Sequence, residues 1–318
     1  MREVTGGSPV VSVVIPCGRD AETLPLQLAA LGSQLAAPAF EVLVVNNGAP
    51  GALDRLVHDH PGLPCPLRVV EATERQGSSY ARNVGAARAR SELLMFCDAD
   101  DVVSAHWVRC GIRAFELAPV WTGAATAFDD HVFQEGHAPV QQLVDRDLED
   151  SEPVPDTPSE PTVLMGCNFG IRRDLYRAVG GFDVTVPHHG DDNDLAARLR
   201  AHGAPIPRVE SVRVAYRQRR NVVQRCLQAH ADCRAAQLLE TRIDGPLPRR
   251  DAVLRVAALA LRAPLFPVGM LLRRQWEPAA IATRWCHVLG TVDGLVRYAI
   301  LRRVPPRELG AGWDAPQG

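Results

Sequence analysis

The chain has 318 residues, 46% of them apolar and 23% charged. That length can bury the core of one large domain or two ordinary ones, and that balance excludes a disordered chain. A formal net charge of −2 gives no global basic field, which excludes nucleic acid as the partner. All the positive side chains are arginine, a coding bias rather than selected chemistry, and the eight cysteines stand singly, without C-x-x-C or zinc-like spacing. With no secretory pattern in the first residues, reduced thiols and a cytoplasmic location are expected, residues 1–8 forming a disordered N-terminus.

In chain order, "PVVSVVIP" (9–16) is an apolar, β-branched run that reads as a buried strand, and "AETLPLQLAALGSQLA" follows with Leu24, Leu28, Leu31 and Leu35 at helical spacing. "FEVLVV" (40–45) and "LRVVEA" (67–72) are further strands, and "SSYARNVGAARAR" is a small-residue helix leading to a fourth strand at Glu92. Strands apolar on both faces that alternate with helices predict an α/β fold: a mostly parallel, Rossmann-like sheet with helices on both sides. Ligands in such sheets bind at the carboxyl ends of the strands. Polar residues collect there, at Pro16–Arg19, Asn46-Asn47-Gly48 and Asp98–Asp101.

The fourth strand ends abruptly. After Leu93–Cys97 come Asp98, Asp100 and Asp101, and three carboxylates in four positions repel one another unless a cation lies among them. Hard oxygen ligands suit Mg²⁺ or Mn²⁺, which fills its sphere with water and phosphate oxygens. Alternatively, Asp100 or Asp101 caps a helix beginning near Ser104. Both readings stand on these residues alone, and the position after a buried parallel strand favours the metal.

Further along, "VDRDLEDSEPVPDTPSEP" (144–161) is acidic and proline-rich and reads as a mobile loop, either folding over substrate or merely solvated. "GDDND" opens a helix with Asp191 and Asp192 in its first turn, an arrangement the helix dipole favours by itself. "SVRVAYRQRR" (211–220) gives a last strand whose Arg217, Arg219 and Arg220 meet either phosphate or solvent. The remainder, 217–318, reads as helical. Its apolar stretch 251–274 is interrupted by Arg255, Arg262, Pro264 and Pro267, which disfavours a membrane span, and the stretch 278–303 carries Trp285, Tyr298 and flanking arginines; lying on an anionic membrane surface, packing on the catalytic part or forming a homodimer contact all fit.

The series "VSVVIPCGRD", "EVLVVNNGAP", "ARNVG" and "ELLMFCDADD", followed by "CNFGIRRDLYRAVGGFDVTVPHHGDDNDLAARLRAHG", resembles family 2 glycosyltransferases of the GT-A fold over residues 9–216. The resemblance implies a nucleotide-sugar-binding half (9–120) and an acceptor half (121–216). It implies donor contacts from Pro16, Arg19, Asn46, Asn47, Arg82 and Asp98, and a divalent ion held by Asp100 and Asp98, with Asp101 as an outer acid or cap. Asp191 and Asp192 match the acidic pair of the family, Asp192 as general base. His189 and Arg217 are candidate acceptor or phosphate contacts, His188 and His189 being equally plain loop residues. Two departures stand out: Asn46 replaces a usual aspartate, leaving the preferred base open, and Asp191 replaces a commoner glutamate. Glycines 77 and 85 are expected where backbone approaches closely.

The implied function is inverting transfer of a sugar from a nucleoside-diphosphate donor to a hydroxyl of a glycan, lipid-linked or small-molecule acceptor, in cell-wall or polysaccharide assembly. The other reading is a catalytically silent protein of the same fold that scaffolds a membrane assembly. A phosphohydrolase with an aspartate nucleophile would need D-x-D-x-T/V and a distant lysine, and the absence of lysine argues against it.

Overall fold

The structure is a computed structural model describing residues 8–18, 21–53, 57, 63–146, 152–186, 190–218, 221–272 and 277–313. Two compact units emerge, one from Met1–Val184, Leu195–Gln218 and Glu308–Gly318, the other from Thr185–Asp194 and Arg219–Arg307. This division departs from the boundary at 216/217 read from sequence in two places. A short segment before residue 195 groups with the helices, and the described end of the chain, 308–313, returns to the first unit.

The first unit is an eight-stranded sheet made of β1 (Val11–Cys17), β2 (Phe40–Asn46), β3 (Leu67–Glu71), β4 (Leu93–Cys97), β5 (Val102–Val103), β6 (Val120–Asp129), β7 (Asn168–Arg172) and β8 (Arg208–Gln218), in the order β3-β2-β1-β4-β7-β6-β8-β5. The first four strands run parallel. β7 lies antiparallel to β4 and β6, and β5 antiparallel to β8. The mostly parallel α/β sheet expected from the sequence is thus present, with a mixed half added.

Alternation along the strands feeds two cores. Val13 and Ile15 of β1, Val42 and Val44 of β2, and Met95 of β4 pack with Leu24, Leu28 and Leu31 of helix α1 (Leu24–Gly32). Val14, Val45, Leu94 and Phe96 point the other way and meet Tyr80, Ala81 and Val84 of helix α2 (Ser78–Arg88). A strand buried on both faces needs this continuous apolar run. α1 stops at Gly32, so Leu35 is exposed rather than extending the leucine stripe.

α2 lies against β1 and β2 because position 85 has no side chain: a Cβ on Gly85 would come within 2.4 Å of a Val14 methyl and 2.8 Å of one on Val45. Gly77, just before the helix, serves differently, holding φ +132° in open space. Asn83 joins distant segments. Its Oδ1 accepts from Tyr176 Oη (2.6 Å) and the Phe182 N–H (2.9 Å), while Nδ2 donates to the carbonyls of Phe182 and Ala311 (both 2.9 Å).

The described part of the acidic segment is pinned rather than loose. Asp156, 3% exposed, receives Arg200 at 2.8 Å and 2.9 Å, and Val154 bridges to Arg208. Burial works to raise the Asp156 pKa, but Arg200 and the backbone N–H groups of Ile206 and Thr162 prevail and hold it below the usual range. Residues 147–151 lie outside the described residues.

The second unit is helical: α8 (Val222–Ile243), α9 (Arg249–Arg262), α10 (Leu265–Leu272), α11 (Pro278–Gly294) and a π-helical turn, Leu295–Ile300. Helices α3 (Trp107–Ala114), α4 (Asp130–Phe133), α5 (His137–Val144) and α6 (Arg173–Ala178) belong to the first unit, and α7 (Asp191–Ala201) begins in the second and ends in the first. Asn221 caps α8 by accepting from the Val223 N–H at 2.9 Å. α11 sits close on α8 because a Cβ on Gly290 would strike the His230 carbonyl oxygen at 2.3 Å. Among the described residues no helix is long and apolar enough to cross a membrane.

Candidate active site

Parallel register brings the ends of β1, β2 and β4 level, with Cys17 opposite Asn46 and Val14 opposite Phe96. Phe96 stacks on Phe169 with ring centroids 4.5 Å apart, which anchors β4 where the acidic run leaves it. One carboxylate oxygen each from Asp98, Asp100 and Asp101 then gathers within 4.8 Å. Arg82 of α2 donates to Asp98 Oδ1 at 2.8 Å, its guanidinium lying 5.2 Å from the centre of the Phe182 ring. Gln27 of α1 donates to the Asp98 carbonyl at 3.1 Å.

Asp101 is buried, 1% exposed; its Oδ1 accepts the Arg217 N–H at 3.0 Å, while Oδ2 is buried with no hydrogen-bond partner among the described residues. Burial first, then the charges of Asp100 and Asp98, push its pKa well up. A set of hard oxygens containing a buried, orphaned one suits a divalent cation, which would relieve both the repulsion and the missing partner. Asp98 and Asp100 are the residues that would hold it, Asp101 adding the buried oxygen that lacks a partner. The helix-cap alternative is not what the structure shows: α3 starts at Trp107 after His106, with no side-chain cap, and Asp101 turns to Arg217 instead.

At the end of β2 the asparagines are heavily engaged. Asn46 donates to both oxygens of Glu71 at 3.0 Å and accepts from the Gly48 N–H at 3.0 Å. Asn47 accepts from the Gly77 N–H at 2.6 Å and donates to the carbonyls of Ala72 and Arg75. Glu71 was missed in the sequence, although it closes β3 at the same edge and the strand-end rule would have found it. Pro16 lies within β1, paired with Val45. Arg19 and His189 fall outside the described residues, as does His188.

Arg217, expected to meet phosphate or acceptor, is turned onto the acidic loop. Its Nε donates to the Asp100 carbonyl at 2.9 Å, one terminal nitrogen meets Asp130, and the guanidinium lies 4.2 Å from the centre of the Phe133 ring. These bonds brace the Asp100 carbonyl and the Asp101 carboxylate.

In the second unit, the first turn of α7 holds three acids. Asp194 is fully buried and faces Arg307 at 3.3 Å and Arg242 at 4.0 Å. Asp191 is buried, and Asp192, partly exposed, accepts the Asn193 N–H at 2.8 Å. Across from this turn stands Asp232 of α8, whose pKa is raised to about 6, by burial and then by the charge of Asp192. Nothing in the sequence marked Asp232, an isolated acid in mid-helix.

Residues 12–180, more than half of the chain, match the family model described as Glycosyl transferase family 2. The chain belongs to that family. Glycosyltransferase AglE of Haloferax volcanii is 27% identical over 59% of this chain and 60% of its own length, and the pre-mycofactocin glycosyltransferase of Mycobacterium tuberculosis is 27% identical over 62% and 40%. The chain therefore matches only about three-fifths and two-fifths of the lengths of these curated relatives. Among solved structures, the Pyrobaculum calidifontis mannosyltransferase PcManGT, in complex with GDP-Man and Mn²⁺, aligns with TM-score 0.57 at 21% identity over 91% of this chain and 88% of that one. Staphylococcus aureus TarS 1–349 gives 0.51 at 15% over 91% and 90%. At these identities the likeness is one of fold, and the fold is the GT-A type.

In this family 2 chain, the carboxylate cluster and Arg82 lie within the matched residues, whereas Asp191, Asp192 and Asp232 lie beyond residue 180.

Proposed function

We propose that the chain is an inverting, metal-assisted glycosyltransferase that moves a sugar from a nucleoside-diphosphate donor to a hydroxyl of a glycan, lipid-linked or small-molecule acceptor. The observation that carries this reading is the gathering of Asp98, Asp100 and Asp101 within 4.8 Å at the carboxyl end of β4, with one buried oxygen left without a partner. A Mn²⁺ or Mg²⁺ ion bound there would neutralise charge developing on the leaving diphosphate. Arg82 keeps the Asp98 carboxylate in one orientation. Pro16, Asn46 and Asn47, near the strand ends, and Arg19 are proposed to line the donor, Asn46 and Glu71 on the base side; among similar folds, PcManGT is in complex with GDP-Man and a TarS structure is in complex with UDP.

Asp192 is proposed as the general base, with Asp191 beside it at the helix start. It takes the hydroxyl proton as the acceptor oxygen bonds to the anomeric carbon and the bond from that carbon to the diphosphate breaks on the opposite face, inverting the centre. His189 is proposed to touch the acceptor or a phosphate, and Arg217 to hold the acidic loop in shape for it.

The partner of the helical unit is proposed to be the inner face of the plasma membrane. Leu254, Leu261, Leu265 and Leu271 on α9 and α10 are 57–77% exposed, with Arg250, Arg262 and Arg284 exposed beside them. Such a mixture suits an anionic leaflet. Sedimentation with phosphatidylcholine vesicles containing phosphatidylglycerol, but not with pure phosphatidylcholine vesicles, is the expected result.

The test of the reaction is Mn²⁺- or Mg²⁺-dependent hydrolysis of a panel of GDP-, UDP- and dTDP-sugars by wild type, Asp100→Asn and Asp192→Asn. Turnover of one donor that both substitutions abolish is expected. Failure of wild type to bind any sugar nucleotide with metal would sink the transferase reading; full activity of Asp192→Asn would remove only its role as base.

A further inference from the structure

The segment preceding α7 lies directly on α8. A Cβ on Gly190 would meet that of Ala235 at 2.5 Å, and Arg242, further along α8, donates to Thr185 Oγ1 at 2.8 Å. Asp232, Ala235 and Arg242 follow helical spacing, so they share one face. Asp232 thereby comes opposite the first turn of α7, and its Oδ1 is buried with no hydrogen-bond partner among the described residues. A buried carboxylate oxygen without a donor costs stability, and no core role is visible for it.

The other charges nearby are accounted for. Asp194 has Arg242 and Arg307, and Arg234 leans toward Asp293 of α11 at 3.7 Å. Asp191 stands in the same turn as Asp192, and the charge that acts on Asp232 is that of Asp192.

We propose that Asp232 is a positioning residue for the transfer: its carboxylate, set against Asp192, strengthens Asp192 as a base and shares the proton that Asp192 removes from the acceptor hydroxyl. This rests on Asp192 being the base. Interaction between two carboxylates is reciprocal, so the pair titrates in two separated steps rather than as two ordinary aspartates. With both ionised, Asp192 has the higher proton affinity of the two-charge state, and general-base rates rise with basicity. Below the upper step the pair already carries a proton, and activity falls.

The experiment has a donor-free arm and a kinetic arm. Carboxyl ¹³C NMR of ¹³C-aspartate-labelled protein follows pH from 3 to 9 in wild type, Asp232→Asn and Asp192→Asn. The expected result is one carboxyl titrating near pH 6 in wild type, absent in Asp232→Asn and shifted toward the ordinary range, about 4, in Asp192→Asn. In the kinetic arm, kcat for Mn²⁺-dependent hydrolysis of GDP-mannose and UDP-glucose is measured against pH. Asp232→Asn is expected to move the acid limb down by about 1–2 pH units and lower kcat at pH 8 by about 3- to 10-fold, with donor KM unchanged, and Asp232→Glu to restore both.

His188→Gln/His189→Gln is the control, since histidines titrate in this range; an acid limb that vanishes there overturns the proposal. So does a wild type without a carboxyl near pH 6, or an Asp232→Asn enzyme with the wild-type profile. Loss of activity in Asp192→Asn alongside an unchanged profile in Asp232→Asn would leave the base in place and remove only the pairing.

Discussion

Arg82 and Asp98, sixteen residues apart, meet at 2.8 Å on the edge where β4 leaves the sheet. The arginine is 5% exposed and lies over the Phe182 ring, so it has one available geometry and imposes it on the aspartate. Arg82→Lys keeps the charge but loses the planar fork and the ring contact. About a 10²-fold loss of kcat/KM in donor hydrolysis is expected, since small displacements at a positioned group cost that much. A wild-type-like value would show that Asp98 needs no brace.

The acidic cluster predicts a stability effect that needs no donor. Saturating Mn²⁺, at about 100 times its Kd, should stabilise the wild type by about 2.7 kcal/mol, read as a rise in Tm. Asp100→Asn should abolish the rise, and EDTA should reverse it in the wild type.

Asp232 predicts a pH trend. Its folded pKa, about 6, exceeds that of an unfolded aspartate, about 3.9, so the folded state holds the extra proton between these values. Stability from this group is full below about pH 3.9 and is lost as pH rises through about 6. Asp232→Asn should therefore stabilise the fold more at pH 8 than at pH 4, by about 1 kcal/mol once solvent screening of a half-exposed group is allowed for, read as a larger rise in Tm. Paired thermal melts at the two values check it.

Gly85 has no room for a methyl group. Gly85→Ala drives a Cβ within 2.4 Å of Val14, and overpacking of this kind costs about 1–3 kcal/mol. Denaturant midpoints should fall accordingly, although alanine is the better helix former.

Asn83→Ala removes four hydrogen bonds at once and strands buried partners on Tyr176 and Phe182. A loss of at least about 3 kcal/mol is expected. Asn83→Asp, which sets a buried carboxylate oxygen against the Phe182 and Ala311 carbonyls, should cost at least as much.

The parallel half of the sheet was legible because β1, β2 and β4 are buried on both faces and so read as unbroken apolar runs. β5 was not, since two residues, Val102 and Val103, carry no periodicity, and the helix expected near Ser104 begins later for that reason. The clustering of Asp98, Asp100 and Asp101 could be read from their spacing after a strand. The engagement of Asn46 with Glu71 could not, because it depends on the β2–β3 register. Likewise, a proline-rich acidic stretch reads as loose until Arg200, far along the chain, supplies the partner for Asp156.

The return of residues 308–313 bears on how this protein can be cut. Gly310 bonds Gly180, the Ala311 carbonyl receives Asn83, and Trp313 packs against Tyr176. A gene truncated after β8, at the boundary read from the sequence, would therefore omit a piece of the first unit itself. The helices between are encoded as an interruption of that unit. Deleting them calls for a linker that rejoins Gln218 to Glu308, and affinity handles belong where they leave Trp313 in place.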